Sequence, residues 1–166
     1  MKIIKASNGQ DIQVDDCYYE HLSQFTWSIN AYGYARSGMG LGSGACVCMH
    51  RWVAEQENMD APTYVDHKDR NKLNNQASNL RPATNSENQV NSSKRANCTS
   101  VYKGVTYYKP RNTWRARLFK KRKSLLNNYF ATEVEAAKAY DKAAFEAYGE
   151  FAVLNFPEDY AHLLGN

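Results

Sequence analysis

One aspartate and one histidine stand side by side at Asp66-His67, and two asparagines follow them, Asn79 and Asn88. Hydrolysis of a phosphodiester needs an activated water, stabilisation of charge on the phosphoryl group and help for the leaving oxygen. His67 can act as the general base, because an imidazole with a pKa of about 6.5 is largely neutral at cellular pH. These residue types therefore predict a site for phosphodiester hydrolysis.

The same residues include ligands for a hard metal ion. The Asp66 carboxylate and the Asn88 amide oxygen suit Mg²⁺, or alternatively Mn²⁺, with water and phosphate oxygens filling the other positions. Asn79 could orient the imidazole or pin the loop. Neighbours in a regular strand point to opposite faces, so convergence of Asp66 and His67 requires a bent or twisted strand. On residue types alone, a structural histidine with capping asparagines is the more common interpretation.

The positive charge is concentrated in one block. Residues 88–132 contain eleven Lys or Arg and no Asp or Glu. A basic block of this kind predicts a phosphate-facing surface, whereas an ordinary solvated face mixes both signs. Aromatic residues are interleaved with the cations at Tyr102, Tyr107, Tyr108, Trp114 and Phe119.

The cysteines do not form a zinc motif. Cys46 and Cys48 precede His50, but zinc-binding cysteines usually come in closely spaced pairs with a second pair downstream. Buried free thiols are therefore expected at the four positions, which also include Cys17 and Cys98. A zinc-stabilised structural protein using Cys46, Cys48 and His50 is the weaker alternative.

Length and composition predict a folded protein. The 166 residues are enough for one ordinary domain or two small ones, with 43% hydrophobic and 23% charged residues. The sequence has no run of about 18 apolar residues and no signal-peptide core near its start. We therefore expect no membrane association and a cytoplasmic location, that of a host cell if a phage encodes the protein.

The first half is predicted to be β-rich. An Asn8-Gly9 turn joins the first two strands, Asp15-Asp16 caps a short helix, and residues 37–44 form a mobile glycine loop. A capping box from Thr84 to Glu87 starts a helix at Asn85. The predicted strands are Ile3–Ile4, Ile12–Val14, Phe25–Ile29, Tyr32–Arg36, Ala45–Met49, Tyr64–His67 and Leu80–Ala83, and further helices are placed around Tyr18–Leu22 and over His50–Gln56.

After a linker at 91–100, the second half is predicted to be a three-stranded sheet backed by one helix. The strands are placed at Tyr102–Tyr107, Thr113–Phe119 and Lys123–Phe130, and alternation in the second buries Trp114, Ala116 and Leu118. Thr132 caps the helix, which ends near Tyr148 before Gly149. Its alanines allow close packing on the sheet, so the arginine side of the sheet stays exposed.

The segment MHRWVAEQ…TYVDHKDRNKLNNQASNLRPATNSENQ resembles the HNH endonuclease family, in particular the phage-type homing and nicking enzymes whose final His is replaced by Asn. The resemblance implies a ββα-metal fold with His67 as general base, Asp66 and Asn88 as metal ligands and Asn79 as the central asparagine. It also implies the distorted hairpin that convergence of Asp66 and His67 requires. His50 matches a frequent family histidine, for which packing or a phosphate contact is favoured.

The segment YKGVTYYKPRNTWRARLFKK…NYFATEVEAAKAYDKAAFEAYGEFAVLNFP resembles the APETALA/ethylene-response-factor DNA-binding domain. In that family the sheet lies in the major groove and the helix supports it from behind. Several contact residues differ from the family pattern, so the resemblance implies the docking mode and not the base specificity. The implied DNA-binding positions are Lys103, Thr106, Tyr108, Arg115, Arg117 and Phe119 or Lys120.

The sequence thus predicts an α+β protein: a β-rich N-terminal region with a ββα-metal HNH module at 1–90 (core 45–95), the linker, a DNA-binding domain at 101–157 and a tail at 158–166. The expected function is metal-dependent cleavage of double-stranded DNA to 5′-phosphate and 3′-hydroxyl ends. One site per chain favours a monomer that nicks or cuts twice in sequence, with a dimer as the alternative. The alternative function is a non-cleaving DNA-binding regulator.

Overall fold

The protein is described by a computed structural model over residues 1–38, 46–59, 64–92, 94 and 98–163. Helices alternate with small antiparallel sheets, so the predicted α+β class is confirmed. The chain divides into two compact units, residues 1–84 and 85–166. The predicted linker at 91–100 starts later than this division, and the predicted domain boundaries stay a prediction. Most of the predicted glycine loop at 37–44 and the end of the tail lie outside the described residues.

The first unit contains three small sheets and two helices. Each sheet is antiparallel, with β1 paired to β2, the order β3-β4-β5 in the second sheet, and β6 paired to β7. The elements are β1 (Lys2–Lys5), β2 (Asp11–Val14), α1 (Asp16–Leu22), β3 (Ser28–Ile29), β4 (Ala35–Ser37), β5 (Val47–Cys48), α2 (Met49–Gln56), β6 (Tyr64–His67) and β7 (Leu80–Ala83).

One hydrophobic core holds these elements together. Apolar side chains from the β1–β2 hairpin, α1 and α2 meet around Trp27, which is fully buried. The Trp27 indole N–H donates to the Leu22 carbonyl at 2.8 Å, so its polar atom is satisfied inside the core. The fully buried members are Ile12, Val14, Leu22, Trp27, Met49 and Val53.

Strands β3 and β4 are shorter than the predicted strands Phe25–Ile29 and Tyr32–Arg36. The Asn30 side-chain oxygen accepts from the backbone N–H of Tyr32 at 2.9 Å and of Tyr34 at 3.0 Å. These bonds hold residues 30–34 in a turn, which competes with strand pairing. Local asparagine chemistry therefore overrides the apolar pattern at this point.

The second unit contains a three-stranded sheet packed against one long helix. The strand order is β10-β9-β8, with both pairs antiparallel. Ala116 and Leu118 are buried against α4 and Arg117 is exposed, as the predicted alternation requires, but Trp114 and Arg115 are both half-buried. The elements are α3 (Asn85–Val90), β8 (Val105–Tyr108), β9 (Thr113–Lys120), β10 (Lys123–Phe130) and α4 (Glu133–Tyr148).

Local capping chemistry defines α4. The Thr132 hydroxyl accepts from the Glu135 N–H at 3.2 Å, and the Glu135 carboxylate accepts from the Thr132 N–H at 3.1 Å. This capping box fixes the predicted start of the helix, and Gly149 at φ +53° ends it. The predicted span is therefore confirmed.

Strand β8 begins later than its predicted start at Tyr102 because of Gly104. This glycine has φ +76°, and an added Cβ would lie 2.0 Å from a ring atom of Tyr140. Only a residue without a side chain allows the sheet to approach α4 so closely. The chain therefore turns at Gly104 before it enters the sheet at Val105.

The β9–β10 turn has an unusual backbone conformation for its residues. Lys121 has φ +48° and Arg122 has φ +67°, so two residues with long side chains adopt left-handed conformations. Two-residue hairpin turns of this kind favour Asn-Gly or Asp-Gly. The left-handed conformation costs about 1 kcal/mol or more for each non-glycine residue.

The expectation of buried thiols is wrong. All four cysteines are free, but Cys17, Cys46 and Cys98 are exposed and Cys48 is half-buried. These residues lie on helix, strand and loop positions that face away from the two cores, which local sequence does not reveal. Within the described residues, no group of three or more His, Cys, Asp or Glu side chains is placed to hold a metal ion. None of the described helices has the length and apolar content needed to span a bilayer.

Candidate active site

The predicted catalytic pair lies at the end of β6 in the β6–β7 hairpin. The hairpin pairs Asp66 with Arg81 and His67 with Leu80, and both strands have their predicted bounds. Asp66 is 3% exposed and His67 is 4% exposed. Ionisable side chains are rarely buried without partners, so the contacts of these two residues define the site.

A buried ion pair holds Asp66. The Arg81 guanidinium donates from Nε to the Asp66 Oδ2 at 2.9 Å, and both side chains are less than one-tenth exposed. Removing either partner would leave a charge in the protein interior, which is strongly destabilising. The cross-strand register of β6 and β7 therefore has an electrostatic basis as well as a hydrophobic one.

A buried amide fixes the His67 ring. Its Nε2 lies 3.3 Å from Oδ1 of Asn75, a side chain that is 1% exposed. An amide oxygen only accepts hydrogen bonds, so this contact is a hydrogen bond in the tautomer with the proton on Nε2 and the lone pair on Nδ1. The Asn75 backbone N–H donates to the Gln13 carbonyl at 2.9 Å. Strand β2 therefore positions the residue that orients the imidazole.

The Asn79 side chain organises the loop between β6 and β7. Its amide nitrogen donates to the Asp69 carboxylate at 2.9 Å and to the Asn74 carbonyl at 2.8 Å. Its oxygen accepts from the Asp69 backbone N–H at 3.0 Å. Of the two roles considered for Asn79, these contacts match pinning of the loop, and the contact with the imidazole is made by Asn75.

The loop is also anchored to the start of α1. The Asp15 carboxylate accepts from the Ala77 backbone N–H at 2.7 Å and from the Gln76 side chain at 3.4 Å. Asp15 precedes α1 as predicted, but its side chain binds this loop instead of capping the helix. The segment predicted to be an irregular loop is therefore held by specific bonds at both ends.

Two aromatic rings lie beside His67. The His50 ring centroid is 5.3 Å from that of His67, and the Tyr34 ring is 4.8 Å from His50 and 5.9 Å from His67. Within the described residues, His50 Nδ1 and Asn75 Nδ2 are buried without a hydrogen-bond partner. Such atoms are uncommon in folded proteins and occur at sites that bind water, ions or substrate.

The surroundings keep both histidines neutral. Burial lowers the pKa of His67, against the opposing effects of the Asn75 hydrogen bond and the Asp69 and Asp66 charges. Burial, followed by the nearby His67 and Arg51, lowers the pKa of His50 to about 3. A neutral His67 can accept a proton from water at neutral pH, as general-base catalysis requires.

The donor chemistry at Asp66 fits a hard divalent ion. Asp66 carries a carboxylate, and carboxylate oxygens are the donors that Mg²⁺ and Mn²⁺ prefer in proteins. Mg²⁺ in nucleases and polymerases is held by one or two side chains and by water and phosphate oxygens, not by a cage of many residues. The small number of ionisable ligands in the described part of the chain is compatible with that mode of binding.

The predicted DNA-contacting residues and Asn88 lie in the second unit. Asn88 is half-buried on α3, and its role as a metal ligand stays a prediction. The Lys103 ammonium donates to the carbonyls of Val90 and Ser92, and the Lys120 ammonium donates to the Ala147 carbonyl at 2.6 Å. Thr106 and Tyr108 are half-buried on β8, Arg115 Nε donates to Asn127 Oδ1 at 2.8 Å, and Arg117 and Phe119 are exposed on β9.

Sequence reasoning missed two residues of the site, Asn75 and Arg81. Asn75 lies in an asparagine-rich segment where any one asparagine looks like a turn residue. Arg81 follows Asn79-Leu80, and the cross-strand position opposite Asp66 could have been found by pairing the two predicted strands.

Comparison with known proteins agrees with this geometry. A family model described as HNH endonuclease matches residues 47–90, the stretch from β5 to the end of α3. An uncharacterized HNH endonuclease of Acanthamoeba polyphaga mimivirus is 34% identical over 137 residues, which are 81% of this chain and 68% of that protein. No solved structure matches the chain. The chain belongs to the HNH endonuclease family.

A second similarity covers a shorter part of the chain. The AP2-like ethylene-responsive transcription factors AIL7 and AIL6 of Arabidopsis thaliana are each 46% identical over 59 residues. That match covers 34% of this chain but only 12% and 10% of the two plant proteins. The similarity is therefore confined to one module of those proteins.

Proposed function

We propose that this chain is a metal-dependent DNA endonuclease of the homing or nicking type. The observation that carries the proposal is the buried Asp66-His67 pair, with the His67 ring fixed by Asn75 and the Asp66 carboxylate held by Arg81. A catalytic base and a hard-oxygen ligand on one short strand are the parts that hydrolysis of a phosphodiester requires. Mg²⁺ is the favoured ion and Mn²⁺ the alternative.

In the proposed mechanism, His67 Nδ1 takes a proton from a water molecule. The water oxygen attacks phosphorus in line with the 3′ oxygen, the bond between phosphorus and that oxygen breaks, and the leaving 3′ oxygen takes a proton from solvent. Asp66 and Asn88 would hold the metal, which stabilises negative charge on the phosphate and the leaving oxygen. The products are a 5′-phosphate and a 3′-hydroxyl end. With one such site per chain, a monomer nicks or cuts twice in sequence, and a dimer would cut both strands.

The second unit supplies binding to double-stranded DNA in this proposal. The exposed side of the sheet presents arginines, while the opposite side packs on α4. Contacts to phosphates give affinity and register, and a few base contacts give specificity. The proposed contact residues are Lys103, Thr106, Tyr108, Arg115, Arg117 and Lys120, of which Arg117 is the most exposed to a partner.

Substitution of the proposed base tests the function. With Mg²⁺ and phage genomic DNA, His67→Ala should lower the cleavage rate roughly 1,000-fold because it removes the proton acceptor. DNA binding, measured by gel shift without metal, should remain. The exposed His162 provides a matched control, and His162→Ala should cut at the wild-type rate. Sequencing of the cut ends gives the target, the strand and the end chemistry.

The result also separates cleavage from regulation. Equal nicking by wild type and His67→Ala would contradict the enzyme proposal. Binding by both proteins with cleavage by neither, in Mg²⁺ and in Mn²⁺, would favour a DNA-binding regulator.

A further inference from the structure

The second unit contains a cavity of about 600 Å³ beside the end of β9. Five cationic side chains contribute to its lining, and none of the described lining residues is an Asp or Glu. Like charges around one space repel each other, so this arrangement does not help the unit to fold. The lining cations are Lys94, Lys103, Arg117, Lys121 and Arg122.

Most of these charges are available to a ligand. The Lys103 ammonium is bonded to the carbonyls of Val90 and Ser92 and so fixes the chain after α3. In contrast, Arg117, Lys121 and Arg122 are exposed. Among the described residues, these three side chains make no ion pair with a carboxylate. Glu87 on α3 acts on the lining residue Tyr148, so the five Lys and Arg residues still outnumber the acids at this cavity. Exposed cations in excess provide the field that attracts a polyanion.

The backbone at the β9–β10 turn is strained at two of these residues. Lys121 and Arg122 both have positive φ, at +48° and +67°. An Asn-Gly pair would adopt this turn with much less strain. Strain of this kind persists where the side chains have a function, and here both side chains line the cavity.

Three residues of α3 add neutral hydrogen-bond donors to the lining. Asn85, Ser86 and Gln89 line the cavity, and Gln89 Nε2 donates to Asn85 Oδ1 at 3.3 Å. Amides and hydroxyls bind phosphate oxygens without adding charge. Cations together with neutral donors match a phosphodiester backbone better than they match an apolar ligand.

We infer that this cavity binds the sugar-phosphate backbone of DNA, through Arg117, Lys121 and Arg122 together with the side chains of α3 that line it. The inference rests on the proposed function, because it assumes that DNA is the substrate. It extends the proposed DNA contacts from Arg117 to Lys121, Arg122 and the α3 side chains. Asn88 also lies on α3, so the DNA backbone in this cavity would contact the helix that carries the proposed metal ligand.

The turn offers an experiment in which stability and binding change in opposite directions. In the full-length protein, Lys121→Asn combined with Arg122→Gly relieves the left-handed strain and removes two charges. We expect a higher melting temperature and roughly 10- to 100-fold weaker duplex binding at 0.1 M salt. The slope of log K against log salt should become shallower by about 2.

Two further variants separate charge from conformation and position. Lys121→Gln with Arg122→Gln removes the same charges but keeps the strain, so it should lose the same affinity without the gain in melting temperature. Lys138→Gln with Lys142→Gln removes two charges from α4, outside the cavity lining. This control should bind DNA within about two-fold of wild type, with an unchanged salt slope.

The possible failures are distinguishable. Wild type that binds and cuts DNA, together with unchanged affinity of both turn variants, would overturn the inference and leave the proposed function intact. Equal losses of DNA affinity in the turn variants and in the α4 control would also overturn the inference, because the change in net charge alone would explain them. Wild type that neither binds nor cuts DNA would refute the proposed function itself.

Discussion

The two units use charged and polar residues in opposite ways. In the first unit, Asp66, His67 and Asn75 are nearly inaccessible, and hydrogen bonds fix them. In the second unit, Arg117 and the residues of the β9–β10 turn are exposed and make no ion pair with a carboxylate among the described residues. The polar residues of the first unit are buried and held in a fixed geometry. The cations of the second unit are exposed to solvent.

This difference separates catalysis from affinity. A catalytic base must be held within a fraction of an ångström of its productive position, so it requires partners that are themselves immobile. Attraction of a duplex phosphate backbone depends on the number of cations more than on their exact orientation. Substitutions in the first unit should therefore alter stability and rate, and substitutions on the basic surface should alter binding and its salt dependence.

The largest effect on stability is expected from Arg81→Ala. This change leaves the Asp66 carboxylate buried without its guanidinium partner, and breaking a buried pair in this way costs about 3 kcal/mol or more. Urea unfolding followed by Trp27 and Trp52 fluorescence in a Trp114→Phe background reports on the first unit.

A surface pair gives the matched control for that measurement. Lys5 and Asp11 form an ion pair in the same unit with both side chains more than half exposed. Lys5→Ala should change the free energy of unfolding by less than about 1 kcal/mol. Similar values for Arg81→Ala and Lys5→Ala would show that the Asp66 pair is not buried as described.

The next effect concerns the orientation of the general base. Asn75→Ala removes the acceptor for His67 Nε2–H, so the other tautomer becomes accessible and the ring is less fixed. We expect about a 100-fold lower kcat with little change in KM, the size found when a supporting hydrogen bond to a catalytic group is removed. Steady-state cleavage of a labelled duplex measures both constants.

A tautomer measurement and a loop control distinguish positioning from general loosening. Long-range ¹⁵N NMR should show the Nε2–H form of His67 in wild type and a mixture in Asn75→Ala. Among the described residues, the Asn71 side chain accepts a hydrogen bond from the local Leu73 N–H and none from His67, so Asn71→Ala should keep the wild-type kcat. An unchanged tautomer with an unchanged kcat in Asn75→Ala would remove Asn75 from the mechanism.

A smaller effect should appear in the pH dependence of stability. Burial lowers the pKa of His50 to about 3, whereas the unfolded chain has a value of about 6.5. Below pH 6.5 the unfolded state binds a proton that the folded state does not, so stability is lost as the pH falls toward 3. For this group the loss is about 2 kcal/mol between pH 7 and pH 5.

His50→Gln isolates that contribution. Glutamine does not titrate, so unfolding free energies measured from pH 7 to pH 5 should decrease less steeply in the variant than in wild type. His67 also has a lowered pKa and contributes in the same direction, so part of the slope should remain. If the free energy of unfolding had the same pH dependence in both proteins, His50 would bind its proton equally well in the folded and the unfolded state.

The parts of the fold that sequence predicts well are those that depend on neighbours in the chain. The bounds of α4 follow from Thr132, Glu135 and Gly149, all of which act within one helical turn of its ends. Strands β6 and β7 also have their predicted bounds, and the polar segment 68–79 separates them. In these cases the residues near each end are sufficient to predict where the element begins and ends.

The parts that sequence misses depend on distant backbone. Asp66, His67 and Asn79 stand out by residue type, but only the pairing of the loop with β2 shows that Asn75 contacts the imidazole. In the same way, Asp15 occupies a helix-capping position and yet binds Ala77. A long-range partner prevails over a local preference wherever it satisfies more polar groups.

The smallest effect on stability is expected from Arg117→Ala, the counterpart of Arg81→Ala in the second unit. Arg117 is exposed on β9, so its loss should change the free energy of unfolding by less than about 0.5 kcal/mol. If its guanidinium contacts one phosphate, duplex affinity should fall and the slope of log K against log salt should become shallower by about 1. Binding titrations from 50 to 300 mM salt measure that slope. If Arg117→Ala lowered the stability and left the salt slope unchanged, Arg117 would have a structural role and would not contact DNA. The contrast between the two units would then not hold for this residue.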